Sequence, residues 1–180
     1  MILVVDMNWK RNSLANSEFV APIVSAIEPF EMCVVKHFSD LDTSELENYS
    51  HIVLSGVTLK DFEAQSHLSC FGWIKSTIKP VLGICAGMQI ISLIYGTPLR
   101  HCLGIGMAEI KTTQSNPLFS GCFQAYTLHS LTVSLSETFE VLAESEKCIQ
   151  AIKIWQKPIY GVLFHPEVRN QEILKKFVEI

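Results

Sequence analysis

The stretch Val81-Leu82-Gly83-Ile84-Cys85-Ala86-Gly87-Met88-Gln89 decides the fold, because in it an apolar strand runs directly into a helical pattern. Its centre is Gly-x-Cys-x-Gly, the cysteine form of a nucleophile elbow. Such an elbow holds its nucleophile in a strained turn, and the flanking glycines remove side chains that would clash. The helix N-terminus favours the thiolate, and the N–H of Ala86 can face a developing oxyanion. The stretch predicts a nucleophilic Cys85; the alternative is a buried structural cysteine in a tight turn.

The sequence before this stretch alternates strand-like and helix-like segments. The predicted strands are Ile2–Met7, Glu31–His37, His51–Ser55 and Pro80–Cys85. The predicted helices are Ser17–Ile27, one opened by Ser44-x-x-Glu47, one ending over Phe71–Ile78, and Ala86–Tyr95. Alternation of this kind implies an α/β fold, with a mainly parallel sheet and helices on both faces.

The second half of the chain is richer in strands. The predicted strands are Glu109–Thr113, Phe123–Ser134, Phe139–Glu144, Cys148–Trp155 and Ile159–His165, followed by a helix from Asn170 through Glu179. Turn residues between them favour hairpins. We therefore expect a small antiparallel extension before the last helix.

Composition limits both the size and the class of the protein. With 180 residues, the chain is expected to form a single domain over 1–180. Hydrophobic residues make up 48% and charged residues 18%, which excludes intrinsic disorder. The net charge is −4 and no basic run occurs, so nucleic-acid binding is not expected.

Six cysteines occur, and none has the C-x-x-C spacing typical of a zinc site. We expect reduced thiols in the cytoplasm, no metal and no cofactor. The start Met1–Asp6 lacks the features of a signal peptide. The uncharged stretch Val81–Leu99 has nearly membrane-spanning length, but glycines and Pro98 interrupt it. We interpret it as a buried strand and helix, so no membrane association is expected.

A second motif, Tyr160-Gly161-Val162-Leu163-Phe164-His165-Pro166-Glu167-Val168, ends a predicted strand at His165. In extended chain the side chains of His165 and Glu167 face the same way, so the carboxylate can orient the imidazole. The alternative is an exposed histidine and glutamate in a turn. Cys85 and His165 both fall where parallel strands should end, which is where ligands bind in such folds. Together with Glu167 they form a complete acyl-transfer set.

Gly-Ile-Cys-Ala-Gly-Met-Gln followed by Phe-His-Pro-Glu-Val resembles the triad-type, class I glutamine amidotransferases, and the order of elements matches over nearly the whole chain. The resemblance implies a flavodoxin-like fold. It also implies Cys85 as nucleophile, His165 as base and acid, Glu167 as the support of His165, and Gln89 as a residue that holds the substrate glutamine.

The resemblance extends to two further segments. Leu128-His129-Ser130-Leu131 is similar to the segment whose backbone grips the α-amino and carboxylate groups of glutamine, which implies Ser130 and Leu131 as substrate contacts. The family's oxyanion loop is usually Ser-Gly-Gly-Pro, whereas here Val57 follows Gly56. Val57 still offers an N–H, but a β-branched residue resists the positive φ that glycine allows.

The activity that this resemblance implies is hydrolysis of glutamine to glutamate and ammonia through a Cys85 thioester. The resemblance implies that the ammonia passes to a synthetase. Because 180 residues leave no room for a nucleotide-binding domain, we expect the acceptor site to lie on another chain or to be absent. Gly-Met-Gln, Met107-Ala108-Glu109-Ile110 and Asn116-Pro117-Leu118-Phe119 resemble GMP synthases, which are the first choice. His-Ser-Leu is more similar to anthranilate and aminodeoxychorismate synthase subunits, and Gly-Met-Gln also occurs in imidazole glycerol phosphate synthase.

Two other classes of protein remain open at this point. One is a non-catalytic, regulatory amidotransferase-like subunit, which Val57 favours. The other is a thiol hydrolase of the same fold. Those hydrolases usually place a histidine directly after the cysteine, where this chain has Ala86.

Overall fold

The computed structural model describes all 180 residues, as nine strands and five α-helices joined by turns and short 3-10 helices. The strands are β1 Ile2–Asp6, β2 Cys33–His37, β3 His51–Leu54, β4 Val81–Ile84, β5 Leu99–Thr112, β6 Cys122–Val133, β7 Phe139–Glu144, β8 Ile149–Ile154 and β9 Ile159–Val162. The helices are α1 Leu14–Phe19, α2 Ala21–Ile27, α3 Glu63–Ser66, α4 Ala86–Ile94 and α5 Glu172–Val178.

All nine strands belong to one mixed sheet with the order β2-β1-β3-β4-β9-β8-β7-β5-β6. The first five strands in that order pair in parallel. Their carboxyl ends therefore meet at one edge of the sheet, where Cys85 follows β4 and the segment leading to His165 follows β9. The α/β prediction is confirmed for this half.

The other four strands pair antiparallel, from β9 through β8 and β7 to the long β5–β6 hairpin. The expectation of a mainly parallel sheet with a small antiparallel extension was therefore only partly right. The antiparallel part has four of the nine strands and contains more residues than the parallel part, partly because β5 begins at Leu99 and not at Glu109. Glycine is uncommon in strands, so Gly104 and Gly106 interrupt the sequence pattern of β5. Its first part was not predicted for this reason.

Helices cover both faces of the sheet, as predicted. Apolar side chains of α2 and α5 pack with β1, β4 and β9 on one face. Those of α4, together with the 3-10 helix Leu68–Lys75, pack on the other. All five residues of β1 are buried, as expected for a strand covered on both sides.

Local differences from the predicted elements have simple causes. The first helical region is two helices, and Pro22 lies in the first turn of the second one, a position that proline tolerates. The segment after Ser44 is a 3-10 helix over Thr43–Asn48, and Asp42 rather than Ser44 caps it. No helix in the structure is both long enough and apolar enough to cross a membrane.

Candidate active site

Cys85 lies between β4 and α4 with φ +48° and ψ −100°, a conformation that non-glycine residues rarely adopt. Its N–H donates to the carbonyl of Val162 at 2.7 Å, which ties the turn to β9. Because strain of this kind persists only when the surrounding structure enforces it, the conformation marks Cys85 as a residue under functional constraint.

The two glycines of the elbow are required by contact with neighbouring backbone. A Cβ on Gly83 would lie 2.4 Å from the carbonyl carbon of Gly87, and one on Gly87 would lie 2.6 Å from the carbonyl oxygen of Leu54. The helix thus packs directly on the strands, as the Gly-x-Cys-x-Gly spacing predicts.

Cys85 is only 4% exposed, and its Sγ donates to the carbonyl of Leu128 at 3.5 Å. That carbonyl belongs to β6, the outermost strand of the antiparallel half. The carbonyl of Tyr126, on the same strand, accepts the N–H of His165 at 2.8 Å. The free edge of β6 therefore crosses the carboxyl ends of β4 and β9 and joins the two halves of the sheet at the site.

His165 and Glu167 form a buried pair in which Nδ1 of the imidazole and Oε1 of the carboxylate are 2.7 Å apart. The contact was predicted, but not its geometry. β9 ends at Val162, and a turn in which the N–H of Val168 donates to the carbonyl of His165 brings the two side chains together. Pro166 occupies a turn position rather than part of an extended chain.

The imidazole of His165 is enclosed on several sides. A Cβ on Gly56 would lie 2.8 Å from its Cε1, so Gly56 is needed for the ring to fit. The rings of Phe19 and Tyr126 lie 5.8 and 6.3 Å from it, centroid to centroid. Its second nitrogen, Nε2, is buried and makes no hydrogen bond of ordinary geometry, so it remains available to a reacting group.

Opposing effects act on the pKa of His165. Burial lowers it, but interactions with the Cys85 thiol and the Glu167 carboxylate raise it well above its ordinary value. The net direction favours the imidazolium form of His165 next to Cys85. An imidazolium in this position can act as a proton donor to a reacting group.

The predicted oxyanion loop, Gly56-Val57-Thr58, presents free backbone donors. Neither the N–H of Gly56 nor that of Val57 donates a hydrogen bond within the chain. Ala86 is the first residue of α4, so its N–H has no intrahelical partner. Val57 has no positive φ, and its side chain is buried in the core against the face that α4 covers.

Comparison with known proteins identifies the family. The model of the family "Glutamine amidotransferase class-I" matches residues 16–179. The chain belongs to the class I glutamine amidotransferases. Among relatives, a glutamine-hydrolyzing GMP synthase subunit of Methanococcus aeolicus is 35% identical over 77% of this chain and 78% of its own length.

Other class I amidotransferases are similar over different extents. The corresponding GMP synthase subunit of Methanocaldococcus jannaschii is 38% identical over 56% of this chain, and the match covers 60% of that protein. A crystal structure from Thermoplasma acidophilum, described as that of a candidate GMP synthase subunit, superposes with a TM-score of 0.84 at 23% identity. That comparison covers 99% of this chain and 93% of the other, and it supports the fold.

Hydrogen bonds fix the side chains of two predicted substrate contacts of this amidotransferase, Gln89 and Ser130. Gln89 is 94% buried one helical turn after Cys85, and its Nε2 donates to the carbonyl of Leu131 at 3.1 Å. Ser130 Oγ donates to the carbonyl of Leu59, just beyond the oxyanion loop, at 3.4 Å. His129 faces away, with Nδ1 2.9 Å from the carbonyl of Cys102, and burial lowers its pKa, so a structural role fits it.

Sequence reasoning missed three contributors to the site. Phe19 packs on His165, the carbonyl of Leu128 accepts from Cys85, and Gln65 donates from its Nε2 to Gln89 Oε1 at 2.9 Å. No local motif marks Phe19 or Gln65, because each reaches the site only through tertiary packing. All six cysteines are free, and no group of three or more histidine, cysteine or acidic side chains is arranged to hold a metal ion.

Proposed function

We propose that this chain is the glutaminase subunit of a GMP synthase, with Cys85, His165 and Glu167 as its catalytic residues. The observation that carries the proposal is the strained, buried Cys85 beside the His165–Glu167 pair, on a chain whose relatives are named as GMP synthase subunits. The order β2-β1-β3-β4-β9 supports a flavodoxin-like class for the parallel half. We also propose that residues 1–180 form a single amidotransferase domain.

In the first step, Cys85 Sγ attacks the side-chain amide carbon of glutamine and forms a C–S bond. The N–H groups of Val57 and Ala86 stabilise the oxyanion that develops on the amide oxygen. His165 Nε2 gives its proton to the amide nitrogen, the C–N bond breaks, and ammonia leaves. The raised pKa of His165 keeps this proton in place before the reaction.

In the second step, neutral His165 takes a proton from water, and the resulting hydroxide attacks the γ-glutamyl thioester. The C–S bond breaks, which releases glutamate and returns the thiolate and imidazolium. Glu167 holds Nδ1–H throughout, so Nε2 is the nitrogen that gains and loses the proton. Gln89 and the backbone of Ser130 and Leu131 hold the rest of the glutamine molecule.

Ammonia would then pass to a synthetase subunit on another chain, and GMP synthase is the first choice. The test combines this chain with separate GMP synthase synthetase subunits, their nucleotide substrate and ATP. Glutamine should support GMP formation, and Cys85→Ala should abolish it. Ammonium salt should restore product formation with the Cys85→Ala chain, since it bypasses only the glutaminase step.

One sequence observation favours a second candidate for the synthetase partner. His129-Ser130-Leu131 resembles the anthranilate and aminodeoxychorismate synthase subunits more than the GMP synthases. The same assay with the synthetase components of those enzymes decides between the partners. Glutamine-dependent product with one of them, and none with the GMP synthetase subunits, would replace the partner but keep the glutaminase.

A further inference from the structure

The side-chain amide of Gln89 is hydrogen-bonded at both ends. Its Nε2 donates to the carbonyl of Leu131 at 3.1 Å, and its Oε1 accepts from Gln65 Nε2 at 2.9 Å. Gln89 is 94% buried, so water does not satisfy these groups freely. One N–H and one lone pair of the amide remain for a ligand.

The two contacts determine which end of the Gln89 amide faces which partner. A backbone carbonyl can only accept, so Leu131 requires the NH₂ side of Gln89 to face it. Gln89 Oε1 then faces Gln65, and the partner at that position has to donate. The Leu131 carbonyl and the Gln65 amide thus select one of the two nearly isosteric orientations of the Gln89 amide.

We propose that Gln65 is a positioning residue of the glutamine pocket, whose NH₂ group sets the orientation of the Gln89 amide for the substrate. The inference rests on the proposed function, in which Gln89 is a substrate contact. Gln65 does not itself touch the reacting atoms. It acts through Gln89, 24 residues further along the chain.

Gln65 also connects this pocket to the oxyanion loop. It lies on α3, shortly after Val57, and two other contacts hold the same segment. Ser130 Oγ donates to the Leu59 carbonyl at 3.4 Å, and the N–H of Trp9 donates to Asp61 Oδ2 at 2.7 Å. A change at Gln65 therefore alters the substrate pocket first, while other contacts still hold the loop.

The test uses Gln65→Glu, which keeps the size of the side chain but replaces the donor by an acceptor. Alkylation of Cys85 is followed by mass spectrometry with two reagents, a diazo-ketone glutamine analogue and iodoacetamide. The ratio of the two rates reports recognition of the glutamine part, because iodoacetamide reports only thiol reactivity. Gln114→Glu, at an exposed position, is the matched control for the charge change.

At pH 7.5, Gln65→Glu should lower the ratio about tenfold, the size expected when one hydrogen bond to a buried group is lost. At pH 5 the ratio should recover. In Gln65→Glu, the neighbouring acceptor Gln89 Oε1 raises the pKa of the new, half-buried carboxyl. At pH 5 this carboxyl is protonated and donates to Gln89 again. Gln114→Glu should match the parent chain at both pH values. Gln65→Ala, a second variant, should lower the ratio at both values without recovery.

Each contrary result has its own meaning. A ratio unchanged by Gln65→Glu and by Gln65→Ala overturns the positioning role, and so does a loss in Gln65→Glu that is equal at both pH values. If the parent chain shows no preference of Cys85 for the glutamine analogue, the proposed function falls and this inference falls with it. The measurement on the parent chain thus distinguishes failure of the proposed function from failure of the positioning role of Gln65.

Discussion

At the scale of single residues, close contact of the two elbow glycines with neighbouring backbone explains why the elbow could be predicted from sequence. Gly83 and Gly87 have no room for a Cβ, because α4 packs closely on the strands at both positions. Cys85, between them, has the positive φ that an elbow requires. The elbow at Cys85 and the contact of His165 with Glu167 could be predicted from sequence because each lies in a short motif that local geometry dictates. Gln65 could not, because nothing near it in sequence reflects its contact with Gln89.

Replacing Gly83 by Ala should destabilise the protein by roughly 1–3 kcal/mol or more, because the new methyl group meets backbone that cannot rotate away. Gly72→Ala is the matched control. A Cβ there meets nothing within 4 Å, so its effect should stay within about 1 kcal/mol. Urea unfolding of the two variants gives both values. Equal stability of the two would contradict the close packing at the elbow.

His165 and Glu167 should differ in the effect of their loss. His165→Ala should lower the glutaminase rate by roughly 10²–10⁴-fold, since it removes proton transfer. Glu167→Gln should leave more residual activity, because the carboxylate orients and stabilises the imidazole. Rates of glutamate release, measured with the partner that gives the highest activity, provide the comparison. Parent-like rates in both variants would contradict the triad.

The pH profile should separate the role of Glu167 from a merely structural one. Glu167 helps to raise the pKa of His165, so the imidazolium persists to higher pH than for an ordinary histidine. In the proposed mechanism His165 is the acid for the leaving ammonia, and this acid is lost only as pH rises through the raised pKa. In Glu167→Gln the pH at which the rate begins to fall should move downward. An unchanged alkaline limb would show that the carboxylate does not tune His165.

At the scale of elements, the parallel strands could be predicted and the β5–β6 hairpin only in part. Strands buried on both faces, such as β1, are continuous apolar runs that stand out in sequence. β5 alternates exposed residues such as Ile105 and Met107 with Gly104 and Gly106, so only its last third was recognised. The missed part pairs with the segment of β6 that reaches Cys85.

The oxyanion loop has to satisfy two demands at Val57. Its side chain is 94% buried in the core, while its N–H is a proposed oxyanion donor. Val57→Gly should release the backbone and speed glutamine hydrolysis by the isolated chain, at the expense of stability. Val57→Ala is the control. It lowers the free energy of unfolding by roughly 1–3 kcal/mol through lost packing, but it does not give the backbone the conformational freedom of glycine. Faster hydrolysis in both variants would point to loosened packing instead.

At the scale of the whole molecule, the site depends on the meeting of the two halves of the sheet. The parallel half supplies Cys85 and the segment that carries His165, and the edge of β6 supplies carbonyls that contact both. The order of motifs along the chain allowed the first part to be predicted. The second part depends on the path of β6 across the carboxyl ends of β4 and β9, which local patterns do not encode.

The free chain should hydrolyse glutamine slowly, because a glutaminase without its acceptor would waste its substrate. Val57 has no positive φ, so we expect its N–H to need a shift before it faces the oxyanion. One missing donor costs roughly 10²–10³-fold in rate. Binding of the synthetase with its substrates should therefore raise the glutaminase rate at least about tenfold, a change of about 1.4 kcal/mol in barrier.

Glutamate release is measured with and without the synthetase subunits, in the parent chain and in Val57→Gly. If the loop is the restraint, the glycine variant should start from a higher rate and gain less from the partner. Full turnover by the free parent chain, unchanged by any synthetase, would mean that the loop is already set for catalysis. A partner effect of equal size in both chains would place the restraint elsewhere, and the hydrogen bonds from Gln65 and Ser130 would be the next positions to vary.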